Sequence, residues 1–216
     1  MDALIDNAGL ILRGFGTTLL LTVVSAVLSL LLGTVLATLR VSPVAPLRAV
    51  GTVYVEVFRN TPLTLLFFFF VFVFSTAFFP IGSFVVMAVV ALTLYTSAFV
   101  CEAVRSGINS VGTGQAEAAR AVGMTFTQTL GLIVLPQALR TVVPPLINVF
   151  IALAKNTSVA GGFAVTELYA VSAQLANANP ADVITVLLGV ALCYLVITIP
   201  AGQLAGHLER KVAFAR

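Results

Sequence analysis

The stretch GQAEAARAVGMTFTQTLGLIVLPQ, residues 114–137, interrupts a chain that otherwise avoids charge. It places Glu117 and Arg120 in an alanine-rich segment, then Gly123, then Thr125 three residues before Gln128. The pattern predicts two short helices joined by a tight turn. Gly114 or Thr113 is placed to cap the first helix, with Glu117 in its first turn and Arg120 in its last, where each charge suits the helix dipole. Gly123 supplies a left-handed residue to end that helix. Thr125 and Gln128 fit a capping box that opens the second, and Leu135-Pro136 marks the approach to the next apolar run. Ala116, Ala118, Ala119 and Ala121 keep the first helix slim, so a partner can come close. One reading of this elbow, about residues 113–136, is a plain connector. The other is a docking surface for a soluble partner, favoured because a loop of about 35 residues with two capped helices exceeds what connection needs.

The flanking sequence says where such an elbow sits. Of the 216 residues, 60% are hydrophobic and only 9% are charged, and the mean hydropathy is +1.12. Soluble domains are about 45–50% apolar and about 25% charged, so the composition implies a single-domain, all-α integral membrane protein spanning residues 1–216. Five apolar segments are long enough to cross a bilayer: Phe15–Leu39, Val53–Phe79, Phe84–Cys101, Leu139–Ala154 broken by Pro144-Pro145, and Val183–Gly202 with Pro200 near its end. The FFFFVFVF block at 67–74 predicts a lipid-facing surface. With the N-terminus outside and the C-terminus inside, the inner loops hold Arg40, Arg48, Arg105, Arg120, Arg210, Lys211 and Arg216. Arg59 and Arg140 then lie near inner helix ends, and the outer side holds only Arg13 and Lys155, as the positive-inside rule requires. The elbow then lies in the cytoplasm between helices three and four, held by Arg105, Arg120 and the adjoining membrane helices.

Other features exclude more than they establish. The net charge of +3 is spread between hydrophobic runs, with no basic run interleaved with aromatics, so nucleic acid is not an expected partner. Cys101 and Cys193 suggest neither a disulfide framework nor a metal site, and His207 has no Cys or His nearby. The N-terminus lacks the basic start of a signal peptide, so the first apolar helix is expected to remain in the mature protein.

Polar groups at membrane depth are expensive and tend to face a cavity. On that ground Asn60, Tyr95, Thr96, Ser97, Asn148, Lys155, Asn156, Thr157 and Ser158 are candidates for a substrate pathway. Glu56 and Arg59, three apart on one helical face, suggest a structural ion pair, or else a gate. Lys155, with no acidic residue after it until Glu167, is either a seat for a substrate carboxylate or a side chain that snorkels to the interface. The segment from Gly161-Gly162 through Glu167 and Tyr169 to Asp182 is long enough for a short surface helix that touches an external partner or acts as a lid.

Glu117-Ala118-Ala119, Gly123, Ile133 and Leu135-Pro136 resemble the EAA motif of binding-protein-dependent ABC importer permeases. Arg59-Asn60-Thr61-Pro62-Leu63 resembles the R-G/N-T-P-L segment of the polar amino-acid subfamily, and Lys155-Asn156-Thr157-Ser158 its K-x-T-S segment. With RVSPV at 40–44 and YTSAFVCEAVRSGIN at 95–109, the chain is similar over nearly its whole length to the smaller permease of actinobacterial glutamate uptake systems. The resemblance implies a multi-pass permease of the bacterial cell membrane whose elbow is a coupling helix, with Glu117, Ala118, Ala119, Arg120 and Gly123 meeting cytoplasmic ATP-binding subunits. It implies a second permease subunit, most simply in a heterodimer, an extracytoplasmic substrate-binding protein, and an amino-acid cargo, glutamate before glutamine. The chain lacks the phosphate-binding GxxxxGK[ST] pattern. The resemblance accordingly implies no catalytic residue and no cofactor in this chain, with ATP and Mg bound by the partner ATPase. A secondary carrier, the rival reading, usually has internal repeats and more helices; a channel would show a filter-like sequence.

Overall fold

The computed structural model describes residues 2–42, 44–74 and 83–213, and among these every regular element is helical. A short α1 (Asp2–Asp6) precedes α2 (Ala8–Val41), which is followed by α3 (Ala45–Asn60), α4 (Leu63–Phe68) and a π-helical turn (Phe69–Phe74). Next come α5 (Phe84–Asn109), α6 (Thr113–Ala121), the single turn α7 (Phe126–Gln128), a second π-helical stretch (Thr129–Val134) and α8 (Leu135–Asn156). A 3-10 segment (Thr157–Phe163), α9 (Leu168–Ala178), a 3-10 turn (Pro180–Asp182) and α10 (Val183–Ala213) complete the chain. Four helical stretches are long and apolar enough to cross a membrane, and the bent pair α3–α4 brings the number to five if it counts as one span.

The helix α2 shows why a nearly uniform apolar sequence packs in one way. Its 34 residues extend roughly 50 Å at 1.5 Å per residue, ample for a hydrocarbon core of about 30 Å. Its buried side chains, among them Thr18, Leu21, Ser25, Ser29, Gly33, Leu36 and Ala37, recur every three or four residues and are mostly small, so they form a stripe on which a second helix can lie closely. At Gly33 an added Cβ would stand 2.6 Å from Val100 and 2.8 Å from the Ser97 carbonyl. This contact seats α5 against α2. Several hydroxyls along α2 return to their own helix, Thr22 donating to the Thr18 carbonyl (2.7 Å) and Thr34 to Leu30 (2.7 Å), so these polar atoms do not compete with lipid.

The second expected span is not one straight helix. α3 and the helix that follows it meet at 103°. Pro62 offers no N–H and disfavours a helical residue before it, and Thr61 and Pro62 are both extended (ψ 130° and 133°). The end of the expected Val53–Phe79 segment, residues 75–79, lies outside the described residues. The phenylalanine block also departs from a simple lipid-facing surface. Phe67 and Phe70 are buried, whereas Phe68, Phe69 and Phe72 are about half exposed. Phe67 stacks on Phe163 with ring centroids 5.1 Å apart, inside a core that also holds Leu21, Met87, Leu92 and Leu153. One helical face of the block is therefore core, because α4 is tucked between α5 and the 3-10 segment.

The fourth span is unbroken. α8 runs continuously through Pro144 and Pro145, although neither can donate to the carbonyl four residues earlier. Packing by neighbouring helices is what lets membrane helices tolerate proline, and at Gly107 the approach is so close that an added Cβ would lie 1.9 Å from Val142. Likewise α10 continues well past Pro200.

Candidate functional site

The first helix of the expected elbow and the turn that ends it are present, with a shifted start. Gly112, extended at ψ 138°, precedes the first helical residue Thr113. That moves the cap one residue earlier than Thr113 and two earlier than Gly114, and leaves Glu117 beyond the first turn. Arg120 lies in the last turn. Gly123 takes φ +84°, and behind it the Gly123 N–H donates to the Arg120 carbonyl (2.9 Å) and the Met124 N–H to Ala119 (3.1 Å). These two bonds are the paired closure of a helix ended by a left-handed residue. Thr125 and Gln128 cap each other: the Thr125 N–H donates to Gln128 Oε1 (2.9 Å) and the Gln128 N–H to Thr125 Oγ1 (3.3 Å). The second arm is not a separate helix, because α7 passes through the π-helical stretch directly into α8.

Only Ala119 of α6 is buried; Glu117, Ala118, Arg120 and Gly123 are exposed, and Val122 is 79% exposed. The base of the elbow is held by the Gly107–Val142 approach and by a hydroxyl pair, Ser110 with Thr141 at 2.9 Å. It is not held by Arg105, which turns to Glu102 (2.8 Å).

The polar residues at membrane depth separate into four environments. A cavity of about 460 Å³ between α5 and α8 is lined by Tyr95, Thr96 and Phe99 from one side and by Asn148, Ala152 and Asn156 from the other. Val149 and Leu153 of α8 complete the lining, and Asn148, Ala152 and Asn156, spaced four apart, share one helical face. A second cavity, about 320 Å³, is lined by Lys155, Ser158, Tyr169, Ser172 and Tyr194 with apolar side chains of α10. Lys155 and Asn156 are thus neighbours in sequence that face different spaces. Ser97 and Thr157 are fully buried in helix packing: Ser97 bonds the Tyr54 hydroxyl (2.8 Å) and Thr157 its own helix at Ala154 (2.8 Å). Asn60 donates to the Glu56 carbonyl (2.8 Å) and carboxylate (3.1 Å). Arg59 does not complete a pair with Glu56; it reaches Glu102 Oε1 at 3.3 Å.

Two carboxylates organise these surroundings, and sequence reasoning missed both roles. Glu102 accepts from Arg40 and Arg105 and forms an ion pair with Arg59, so three guanidiniums from three elements meet on it. The signal was present, since Glu102 directly follows the apolar run that ends at Cys101. Glu167 is fully buried and caps α9, accepting from the Tyr169 N–H (2.9 Å) and Ala170 N–H (2.8 Å), and also from the Tyr194 hydroxyl (2.8 Å). Burial pushes its pKa above the usual carboxylate range, against these hydrogen bonds, which lower it. Among the described residues no group of three or more His, Cys, Asp or Glu side chains is arranged to hold a metal.

Long apolar helices packed through small residues, with a cavity between two of them that carries a few polar groups and an exposed short helix between two spans, define a helical membrane protein. Residues 11–214 match the family described as the binding-protein-dependent transport system inner membrane component, and the chain belongs to that family. It is 43% identical over 212 residues to a probable glutamine ABC transporter permease protein of Bacillus subtilis (strain 168), covering 98% of this chain and 97% of that one. It is 40% identical over 216 residues to a glutamate transport system permease protein of Corynebacterium efficiens, covering 94% of each. The fold matches a crystal structure of an amino acid ABC transporter with histidines at a TM-score of 0.86 and 27% identity, over 96% of both chains. The protein is therefore an amino-acid ABC permease subunit and not an enzyme, and it belongs in the bacterial plasma membrane as a multi-pass protein.

Proposed function

We propose that this permease imports glutamate, as one transmembrane domain of a complex driven by ATP and Mg bound in separate cytoplasmic ATP-binding subunits. The single observation that carries the transport reading is the cavity of about 460 Å³, a mostly apolar space onto which Tyr95, Thr96, Asn148 and Asn156 converge, a size and a set of placed polar groups suited to a small zwitterion between two spans. The N-terminus faces outward and the C-terminus inward, which puts the elbow in the cytoplasm. There Glu117, Ala118, Ala119, Arg120 and Gly123 meet the ATPase; nucleotide-driven closure shifts the permease equilibrium through the difference in binding between its two states. A second, related permease subunit completes the pathway as a heterodimer, and an extracytoplasmic binding protein delivers the cargo.

The choice of glutamate rests on Lys155, which lines the neighbouring cavity with no carboxylate among the lining residues. Glutamine is the second reading, supported by the uncharged lining of the larger cavity and by the function named for the Bacillus relative. Uptake of labelled glutamate that requires this gene, stops on ATP depletion and survives collapse of the proton gradient is the expected result. Uptake that follows the gradient would overturn the reading. Lys155→Met lowers glutamate uptake more than glutamine uptake, and equal losses would move the cargo to glutamine. Glu117→Lys leaves membrane insertion intact and abolishes transport-linked ATP hydrolysis; normal transport by that variant would remove the coupling role from the elbow.

A further inference from the structure

The cavity between α5 and α8 offers hydroxyls and carboxamides but no charged side chain among its lining. An amino acid inside it carries a full carboxylate, and a charge taken out of water needs a partner. The cation that touches the cavity wall is Arg59: its guanidinium lies 5.9 Å from the centroid of the Phe99 ring, and Phe99 is part of that wall.

Arg59 is also the least committed of the arginines around Glu102. Arg40 takes Oε1 from a side chain only 11% exposed, and Arg105 takes Oε2 at 2.8 Å with a second contact from its Nε. Arg59 reaches the already occupied Oε1 at 3.3 Å, and its side chain is 45% exposed. Three permanent positive charges thus share one negative charge. Withdrawing Arg59 leaves Glu102 paired on both oxygens. A guanidinium stacked on an aromatic face keeps its edge donors free, and that edge matches a carboxylate with two parallel bonds.

We propose that Arg59 is the carboxylate-binding residue of the pathway. It leaves the shared oxygen of Glu102 and takes the α-carboxylate of the amino acid in the cavity, the group common to every amino-acid cargo, so that it reads the class and not the side chain. The inference rests on the transport reading of that cavity.

The test is direct binding of labelled glutamate and glutamine to the purified permease–ATPase complex in lipid nanodiscs. The binding protein is left out so that its own selectivity does not intervene, and the α-amides of both amino acids serve as competitors. In the wild type the α-amides compete about tenfold more weakly or worse, the scale of one charge-assisted pair. In Arg59→Gln the amino acids fall to the affinity of their α-amides, and Arg59→Lys recovers part of the difference. Glu102→Gln frees Arg59 and tightens binding of the amino acids but not of the α-amides, which keeps the inference testable if Arg59→Gln does not assemble. Discrimination against the α-amides that survives Arg59→Gln, or a Glu102→Gln complex with unchanged affinities, overturns the proposal. So does a loss confined to the preference for glutamate over glutamine, since Arg59 would then read the side chain. A wild-type complex that binds neither amino acid overturns the cavity reading and this inference with it.

Discussion

Glu102 and Glu167 each gather three partners, but in opposite ways. Glu102 is met by three arginines and keeps 22% of its side chain exposed. Glu167 is met by two backbone N–H groups and a phenol, and is fully buried. An ion cluster holds together where water still reaches it, because partial hydration softens the desolvation of each charge. A sealed carboxylate instead depends on donors fixed by the fold. Glu167 finds them at the first turn of α9 and on α10, and Gly161 makes the room: an added Cβ there would lie 2.5 Å from Glu167 Oε1. The first arrangement is suited to exchanging partners and the second to staying put.

Breaking each arrangement tests that contrast, and the sealed one should suffer more. Glu167→Ala leaves two N–H groups and the Tyr194 hydroxyl without their acceptor at a buried position. An expected loss of about 3 kcal/mol, read as a fall in melting temperature in detergent, is the largest of the set. Glu102→Ala leaves three guanidiniums that can turn to water, so about 2 kcal/mol is expected. A larger loss from Glu102→Ala than from Glu167→Ala would reverse the comparison. Tyr194→Phe removes one of three bonds to Glu167 and costs about 1 kcal/mol.

The smallest effect is on pH. The folded-state pKa of Glu167 is raised, so the stability it contributes is whole below the ordinary carboxylate range and is lost as pH rises through its raised value. Melting curves across that window should slope downward in the wild type and flatten in Glu167→Gln. An unchanged slope in the variant would assign the titration to another group.

The elbow was legible because its signals are local. Gly123 and the Thr125–Gln128 pair act within a few residues of themselves, and each does in the structure what its chemistry requires. The late cap at the start of α6, one residue from Thr113 or two from Gly114, is of the size that fraying helix ends allow. The apolar spans were legible from length alone, although α2, α5 and α10 all extend beyond their apolar segments. What could not be read depends on which helix comes to lie beside which. Pro62 announced a break but not an angle of 103°, and Pro144-Pro145 announced a break that packing prevents. Arg59 was within reach of Glu56 along its own helix, yet it pairs with Glu102 across the fold.

By itself, then, the order of residues determined that this chain is a helical membrane protein, roughly where its apolar helices lie and where a short helix ended by Gly123 interrupts them. Hydrophobic length and capping chemistry act over one helix turn or one bilayer thickness, and both are written along the chain. Only the tertiary structure decided that Asn156 and Lys155 face different cavities, that half of the phenylalanine block is core, and that one carboxylate collects three arginines. Those outcomes follow from small side chains letting helices approach closely, and the resulting neighbours are set by geometry between segments far apart in sequence.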